Sequence, residues 1–490
     1  MTRRLSSSSD TPSEYAWKSI GDILGDGGED QSGQGVALNA IGDVVTMTAP
    51  FHLVDNDKKG HARIFQKENE SWTLVGEDIG GIATGDRTSS VAMNDVGDRI
   101  VLGAPYNDGN GSNAGHARIF ENVNGRWVQV GQDIQGQSQQ DQLGVSVDMN
   151  GSGTRVIVGA PLHNSANGVN TGHARIYEER SGVWIQLGKD LEGAAAEDNF
   201  GTSVAMSKDG KRVIIGAPYN DDNGIDSGHS QIFEEIDGSW IQVGANILGE
   251  APQDWSGTSV DINSTGDRII VGAPYNSNSD LGGAIKVYSG HARVYQLDVD
   301  GAWIQVGNDI DGESSNDWSG YSVAMSSNGD RVIIGAPYNH DAEYSSGHAR
   351  VFQEFGGLWV QMGQDLDGKD AYDGAGISVD INSDGTRVAV GAPEDSNNYS
   401  GPGHVRLYEL DVNISPQAPI SASLSWWVYF TIVSAVLVTV TGLIMFLRKR
   451  NRSEVGHVED KSKTAVQFPI PALDIERNNE PESRKTLNNE

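Results

Sequence analysis

Histidine recurs through this chain at near-regular intervals. His61, His116, His173, His229, His291, His348 and His404 each stand in Gly-His-Ala-Arg or a variant of it. Aspartate keeps the same step at Asp30, Asp86, Asp141, Asp198, Asp254, Asp317 and Asp373, and arginine at Arg99, Arg155, Arg212, Arg268, Arg331 and Arg387. Imidazole near carboxylate is the raw material of metal centres and of acid–base catalysis. Ligands must, however, converge on one ion at about 2 Å, and a catalytic site is normally singular, whereas these groups are sevenfold. The pattern predicts instead a polar network inside each repeat, with each His hydrogen-bonded and the recurrent Asp as its expected partner. His52, His163 and His340 fall outside the pattern and have no nucleophile motif beside them. No catalytic residue is therefore assigned, and the chain is expected not to be an enzyme.

Oxygen-rich loops offer a second chemistry. The segment "NDDNGIDSG" (220–228) carries Asp221, Asp222, Asn223 and Asp226. Calcium, which takes six to eight oxygens, is the candidate ion there, while turn formation by Asp and Asn explains the same residues without metal. No cofactor is required. The formal net charge of −32 repels nucleic acid, which is excluded as a partner. The absence of cysteine rules out disulfides, thiolate catalysis and cysteine zinc sites.

The elements that position these groups follow from the repeat itself. Pro closes a Gly-Ala-Pro or Thr-Ala-Pro triplet at residues 50, 105, 161, 218, 274, 337 and 393, in steps of 55, 56, 57, 56, 63 and 56. The long step holds an extra "GGAIKVY" (282–288), read as an inserted strand. Each copy contains four short runs rich in Val and Ile and bounded by Gly, Asn and Asp. In the fourth copy they are "GTSVAM", "RVIIGAP", "HSQIF" and "WIQVG". Such runs predict a four-stranded antiparallel meander. One small sheet cannot bury both faces, but seven stacked in a ring can. The first copy begins with the Trp strand "AWKSIG" (16–21) and the last ends at "GHVRLYEL" (403–410) without one. The leading strand thus completes the last blade. The expected fold is all-β: a seven-bladed β-propeller over 17–410, preceded by a disordered 1–16. Trp17, Trp72, Trp127, Trp184, Trp240, Trp303 and Trp359, one per copy, are assigned to packing between blades. The first copy ("TMTAP") and the second ("DRTSSV") depart most from the pattern.

The stretch "NFGTSVAMSKDGKRVIIGAP" (199–218) resembles the FG-GAP repeat, whose best-known bearers are integrin α-subunit ectodomains. The "W-x-Q-x-G…SVAM…RVIVGAP" form is more similar to FG-GAP propellers of microbial and algal surface proteins. The resemblance implies a propeller used for binding outside the cell. Integrin-type repeats hold calcium in an acidic loop before Gly-Ala-Pro. Here "DINSDGTRV" (380–388) matches at Asp380, Asn382, Asp384 and Gly385, but Val388 stands where the last acidic ligand belongs.

After a linker (411–425), "WWVYFTIVSAVLVTVTGLIMFL" (426–447) carries no charge, and its 22 residues would span about 33 Å as a helix. Trp426, Trp427 and Tyr429 suit an interfacial belt, and "RKRNR" (448–452) marks the cytoplasmic flank. The expectation is a single-pass protein of the plasma membrane, with the propeller outside and a short disordered tail (448–490) inside. N-glycosylation sequons at Asn69, Asn110, Asn150, Asn263, Asn398 and Asn413 fit that topology. Residues 1–19 contain no apolar signal region, so a missing or mis-assigned start is expected. The expected function is adhesion or recognition of an extracellular protein or glycan. Its contacts would lie in the variable loops after Gly-Ala-Pro, for instance Tyr106, Asn107, Tyr219, Asn220, Tyr338 and Asn339. An enzyme acting on extracellular polysaccharide and a purely structural surface-coat protein are the alternatives.

Overall fold

The computed structural model describes residues 15–54, 57–279, 285–394 and 401–411. Every regular element among them is a strand. The expected linker, membrane helix and tail lie outside the described residues, apart from Asp411 at the end of the last strand.

Blade 4 shows the unit. Ser203–Met206 lies innermost, followed by Arg212–Ala217, His229–Ile236 and the outer Ser239–Gln242, all antiparallel. A short run, Ile247–Leu248, prolongs the outer edge by pairing with the third strand. The second strand is buried along nearly its whole length because neighbouring blades cover both its faces. That is why it reads as a continuous apolar run and not as an alternation. The outer strand alternates, turning Trp240 inward and Ile241 to solvent.

Seven such sheets close into a ring. The outer strand of blade 7 is the N-terminal Ala16–Leu24, which pairs antiparallel with His404–Asp411, Trp17 opposite Leu410 and Gly21 opposite Leu407. At the axis the inner hairpins join by main-chain bonds in an unbroken circle. The amides of residues 40, 95, 151, 208, 264, 327 and 383 each donate to the carbonyl of the next blade, and Ser383 returns to Ala40 at 3.0 Å.

The core lies between the blades. Ile157, Ala174 and Leu187 of blade 3 pack with Phe200, Val204, Ile215 and Trp240 of blade 4, and the same layer recurs at the other seams. Each repeated Trp also donates its indole N–H to a carbonyl of the preceding blade, as Trp240 does to Leu187 (3.0 Å) and Trp17 to Met362 (2.8 Å). Each repeated Arg pairs with its cross-strand neighbour and reaches the turn of the next blade. Arg155 bonds Glu178 (2.8 Å) and the Gly210 carbonyl (3.1 Å), and Arg387 bonds Glu409 and, across the closure, Gly42. The Gly of Gly-Ala-Pro admits the adjacent blade: a Cβ on Gly216 would stand 2.1 Å from the Gly257 carbonyl.

The irregular copies meet at one seam. Elsewhere a Ser on the inner strand bonds across the seam, as Ser203 does to Gly257 (2.8 Å). Blade 1 carries Gly35 on the inner strand and Thr48 on the second, and Thr48 supplies the hydroxyl, bonding Ser89 at 2.7 Å in the shortened approach to blade 2. The insertion in blade 5 forms a two-stranded hairpin, Asn278–Ser279 with Ile285–Lys286, outside the blade's own sheet.

Candidate ligand-binding face

The repeated Asp ties two loops together. Asp254 accepts the amides of Glu250 (3.1 Å) and Ala251 (2.8 Å) in the crossover from blade 4, and the side-chain amide of Asn276 (3.1 Å) in the loop after Gly-Ala-Pro. In blade 2 Asp86 does the same with Asn107, and in blade 4 Asp198 with Asn220. In blades 1 and 3 a histidine replaces the Asn: His52 meets Asp30 at 2.7 Å and His163 meets Asp141 at 3.1 Å. This corrects the expected network. The partner of the repeated Asp is the residue two after Pro, not the repeated His. The spacing favours that partner: the residue two after Pro follows Asp by 21 or 22 residues in every copy, whereas the repeated His follows it by 30 to 37.

The side chains next to each Asp and each Asn share one face of the ring, and over blades 4 to 6 all of them but Asn199 are aromatic. Tyr219 meets Trp255 (4.9 Å between centroids), Trp255 meets Tyr275 (3.9 Å), Tyr275 meets Trp318 (4.6 Å) and Trp318 meets Tyr338 (4.3 Å). Tyr288 of the inserted hairpin and Tyr321 flank this arc. Trp255 and Trp318 hold φ of 55°, the left-handed conformation that Gln31, Arg87, Gln142 and Asn199 hold at the same position of other blades (52–56°), so it belongs to the repeat. All five rings are half-buried. Over blades 1 and 2 the same positions give a different patch, with the Arg87 guanidinium over Tyr106 (4.6 Å) and Phe51 (5.1 Å).

Of the loop residues singled out in the sequence, Tyr219 and Tyr338 are therefore the ends of one arc, and Tyr106 belongs to the cationic patch. Asn107, Asn220 and Asn339 are buried, the first two bonded to their Asp and the third accepting the Asp341 amide, so their side chains hold the loop. Sequence reading missed Trp255, Tyr275 and Trp318. The signal was there in "QDWSG" and "NDWSG", where other copies place Gln, Arg, Asn or Gly after Asp.

The proposed calcium loop does not converge. Asp221 accepts the Asp226 amide (2.8 Å), Asp222 faces His229 (3.2 Å) and Asn223 reaches the Gly249 carbonyl (2.8 Å). The 380–388 hairpin is likewise closed by its own bonds. Asn382 accepts the amides of Thr386 and Arg387, and Asp380 points to the axis. Among the sequons, Asn69 and Asn110 are exposed, while Asn150 and Asn263 are buried and their side chains close inner hairpins. The fold corrects those two: a glycan there would displace the turn. Asn398 and Asn413 lie outside the described residues.

A channel of about 190 Å3 runs along the axis. The inner strands read Ala or Asp at one position, and Asp148, Asp261 and Asp380 occupy it on alternate blades. Each carboxylate accepts two axis-facing amides, its own successor's and one from the next blade. For Asp148 these are Met149 (2.7 Å) and Met206 (2.6 Å), for Asp261 Ile262 and Met325, and for Asp380 Ile381 and Leu38. Burial pushes Asp148 and Asp380 up to about 6; burial together with the neighbouring Asp148 pushes Asp261 to about 8. Both oxygens of each are engaged, one by its own strand and one by the next blade, which gives these groups a structural task. Burial holds His61 and His348 at about 3 and His116 at about 4, so these three are neutral at physiological pH, and it lowers His229 and His291 as well.

Comparison with known proteins agrees with this architecture. The FG-GAP repeat matches at residues 192–233 and 310–352, which span the seams leading into blades 4 and 6. The chain carries FG-GAP repeats. No curated protein sequence matches it. Among solved structures, hydrazine synthase of Kuenenia stuttgartiensis aligns with a TM-score of 0.46 and 10% identity over 76% of this chain and 93% of that one, a likeness too distant to bear on chemistry.

Proposed function

We propose that this FG-GAP propeller is a recognition module that binds an uncharged extracellular glycan across the aromatic arc of blades 4 to 6. The arc is the observation that carries the reading. Flat rings stack on the C–H faces of sugars, and the Asn-, Asp- and Ser-rich loops around them offer hydrogen bonds to hydroxyls. Trp and Tyr are also the residues in which binding energy concentrates. The net charge of −32 disfavours anionic polymers. The channel carboxylates are engaged in joining blades, which supports binding over catalysis. The uncharged segment 426–447 and the basic run after it support a single membrane anchor with the propeller outside.

The test is a glycan array probed with the full-length protein in detergent. Binding to neutral glycans is expected, and its loss in Trp255→Ala supports the arc. A protein ligand with no glycan bound, or turnover of a polysaccharide, would overturn the reading. Detection of residues 448–490 on the outside of intact cells would overturn the orientation.

A further inference from the structure

The repeated histidine has other carboxylates near it, brought by the outer strands. At the seam of blades 5 and 6, Glu313 follows the outer run Ile310–Asp311, His348 opens the third strand His348–Phe355, and Asp365 lies between Leu358–Gln361 and Leu366–Asp367. One ligand atom from each lies within 4.8 Å of the other two. His348 is fully buried, and neither ring nitrogen has a hydrogen-bond partner. A buried polar atom left without a bond is destabilising, so a ring held in that state beside two carboxylates invites a ligand.

The charges at this seam are also out of balance. Arg350 places Nη1 3.3 Å from Glu313 and spends Nη2 on the Asp311 carbonyl (2.6 Å). Against Arg350, and Arg406 beside Asp367, stand four carboxylates, Glu313, Asp365, Asp341 and Asp367, the last 4.0 Å from His348 Nδ1. We infer that the seam of blades 5 and 6 binds a divalent transition-metal ion of the zinc class through His348, Glu313 and Asp365, clamping the two blades together. Three protein ligands leave a position for water, and an imidazole among carboxylates suits zinc better than calcium. Burial keeps the ring neutral, the form that ligates.

Two other seams show what happens when arginine fills the same place. At the seam of blades 4 and 5, Glu250, His291 and Asp309 converge equally. There Arg293 grips both oxygens of Asp309 at 2.9 Å and also bonds Glu250. At the closure seam Arg63 bonds Asp26 (2.7 Å) and lies 3.5 Å from Asp78. The guanidinium replaces the metal at both.

Zinc should be titrated into the full-length protein after chelator treatment, with calorimetry and the melting temperature as readouts. One ion per chain is expected at micromolar affinity, with a rise in melting temperature. Loss of even an outer-shell partner costs metal sites roughly tenfold or more, so Glu313→Gln should weaken binding by at least that factor. Glu313 is exposed, so this variant tests the ligand without unpacking the seam. Glu250→Gln should leave the affinity unchanged. Absence of saturable zinc binding, or Glu313→Gln binding zinc as the parent does, would overturn the inference. Loss of binding in Glu250→Gln alone would overturn it too.

Discussion

The seams and the loop face of this propeller are built from the same repeat, yet they treat it in opposite ways. At the seams every blade spends its Trp, and nearly every blade its Arg and Ser, on the same bond to its neighbour. On the face the residues beside each Asp change from blade to blade: an Arg–aromatic patch over blades 1 and 2, a Tyr–Trp arc over blades 4 to 6. The lesson is a division of labour. Uniformity marks where the ring must close, and departure from it marks the face that the proposed function assigns to a ligand.

Breaking a seam should therefore damage stability far more than altering the face. Trp17→Ala removes an indole that is 4% exposed and packs into the layer between blades 6 and 7. It should cost about 3–5 kcal/mol in denaturant unfolding. The closure seam rests on a strand from the far end of the chain, so this variant should also raise proteolysis at the N-terminus. Asp380→Ala comes next. It strands the amides of Leu38 and Ile381 in the channel and should cost about 1–3 kcal/mol.

Acidity separates the axis from the buried histidines. The channel carboxylates have folded-state pKa values raised from 3.8 to about 6 and about 8, so the folded state binds more protons. Their contribution is full at low pH and is lost as pH rises through about 6 to 8. His61, His116, His173 and His348 are lowered from 6.5 to between about 2 and about 4, so the unfolded state binds more protons below 6.5. Their contribution is full above that value and is lost as pH falls through it. The melting temperature should peak near about pH 6, with Asp261→Asn flattening the alkaline side, where Asp148 and Asp380 are already ionised. A melting temperature that climbs steadily to pH 9 would contradict the protonated channel.

On the face, Trp255→Ala should change stability least of these variants, because the ring is only half-buried. Its effect belongs to binding.

Much of the ring was legible in the sequence. The period, the Gly and Pro of each second strand and the displaced Trp strand each carry a local reason that survives without coordinates. Partnerships across blades were harder. Asp30 and its equivalents stand 21 or 22 residues before the residue two after Pro and 30 to 37 before the repeated His, so the steadier spacing pointed to the right partner, but only loop geometry shows the bond. The alternation of Asp148, Asp261 and Asp380 with Ala is plain in the text of the repeats. Its meaning needs the axis, where one carboxylate reaches two blades. Trp255, Tyr275 and Trp318 lie in separate copies, and only the closed ring makes them a surface.

The most direct test of that division is the affinity of the Trp255→Ala, Trp318→Ala double variant for the glycan bound by the parent protein, measured by calorimetry alongside its melting temperature. The account predicts affinity weakened by roughly a hundredfold, equivalent to the about 2–4 kcal/mol typical of hot-spot aromatics, in a protein that still melts as one ring. Undiminished affinity in a folded double variant would contradict it.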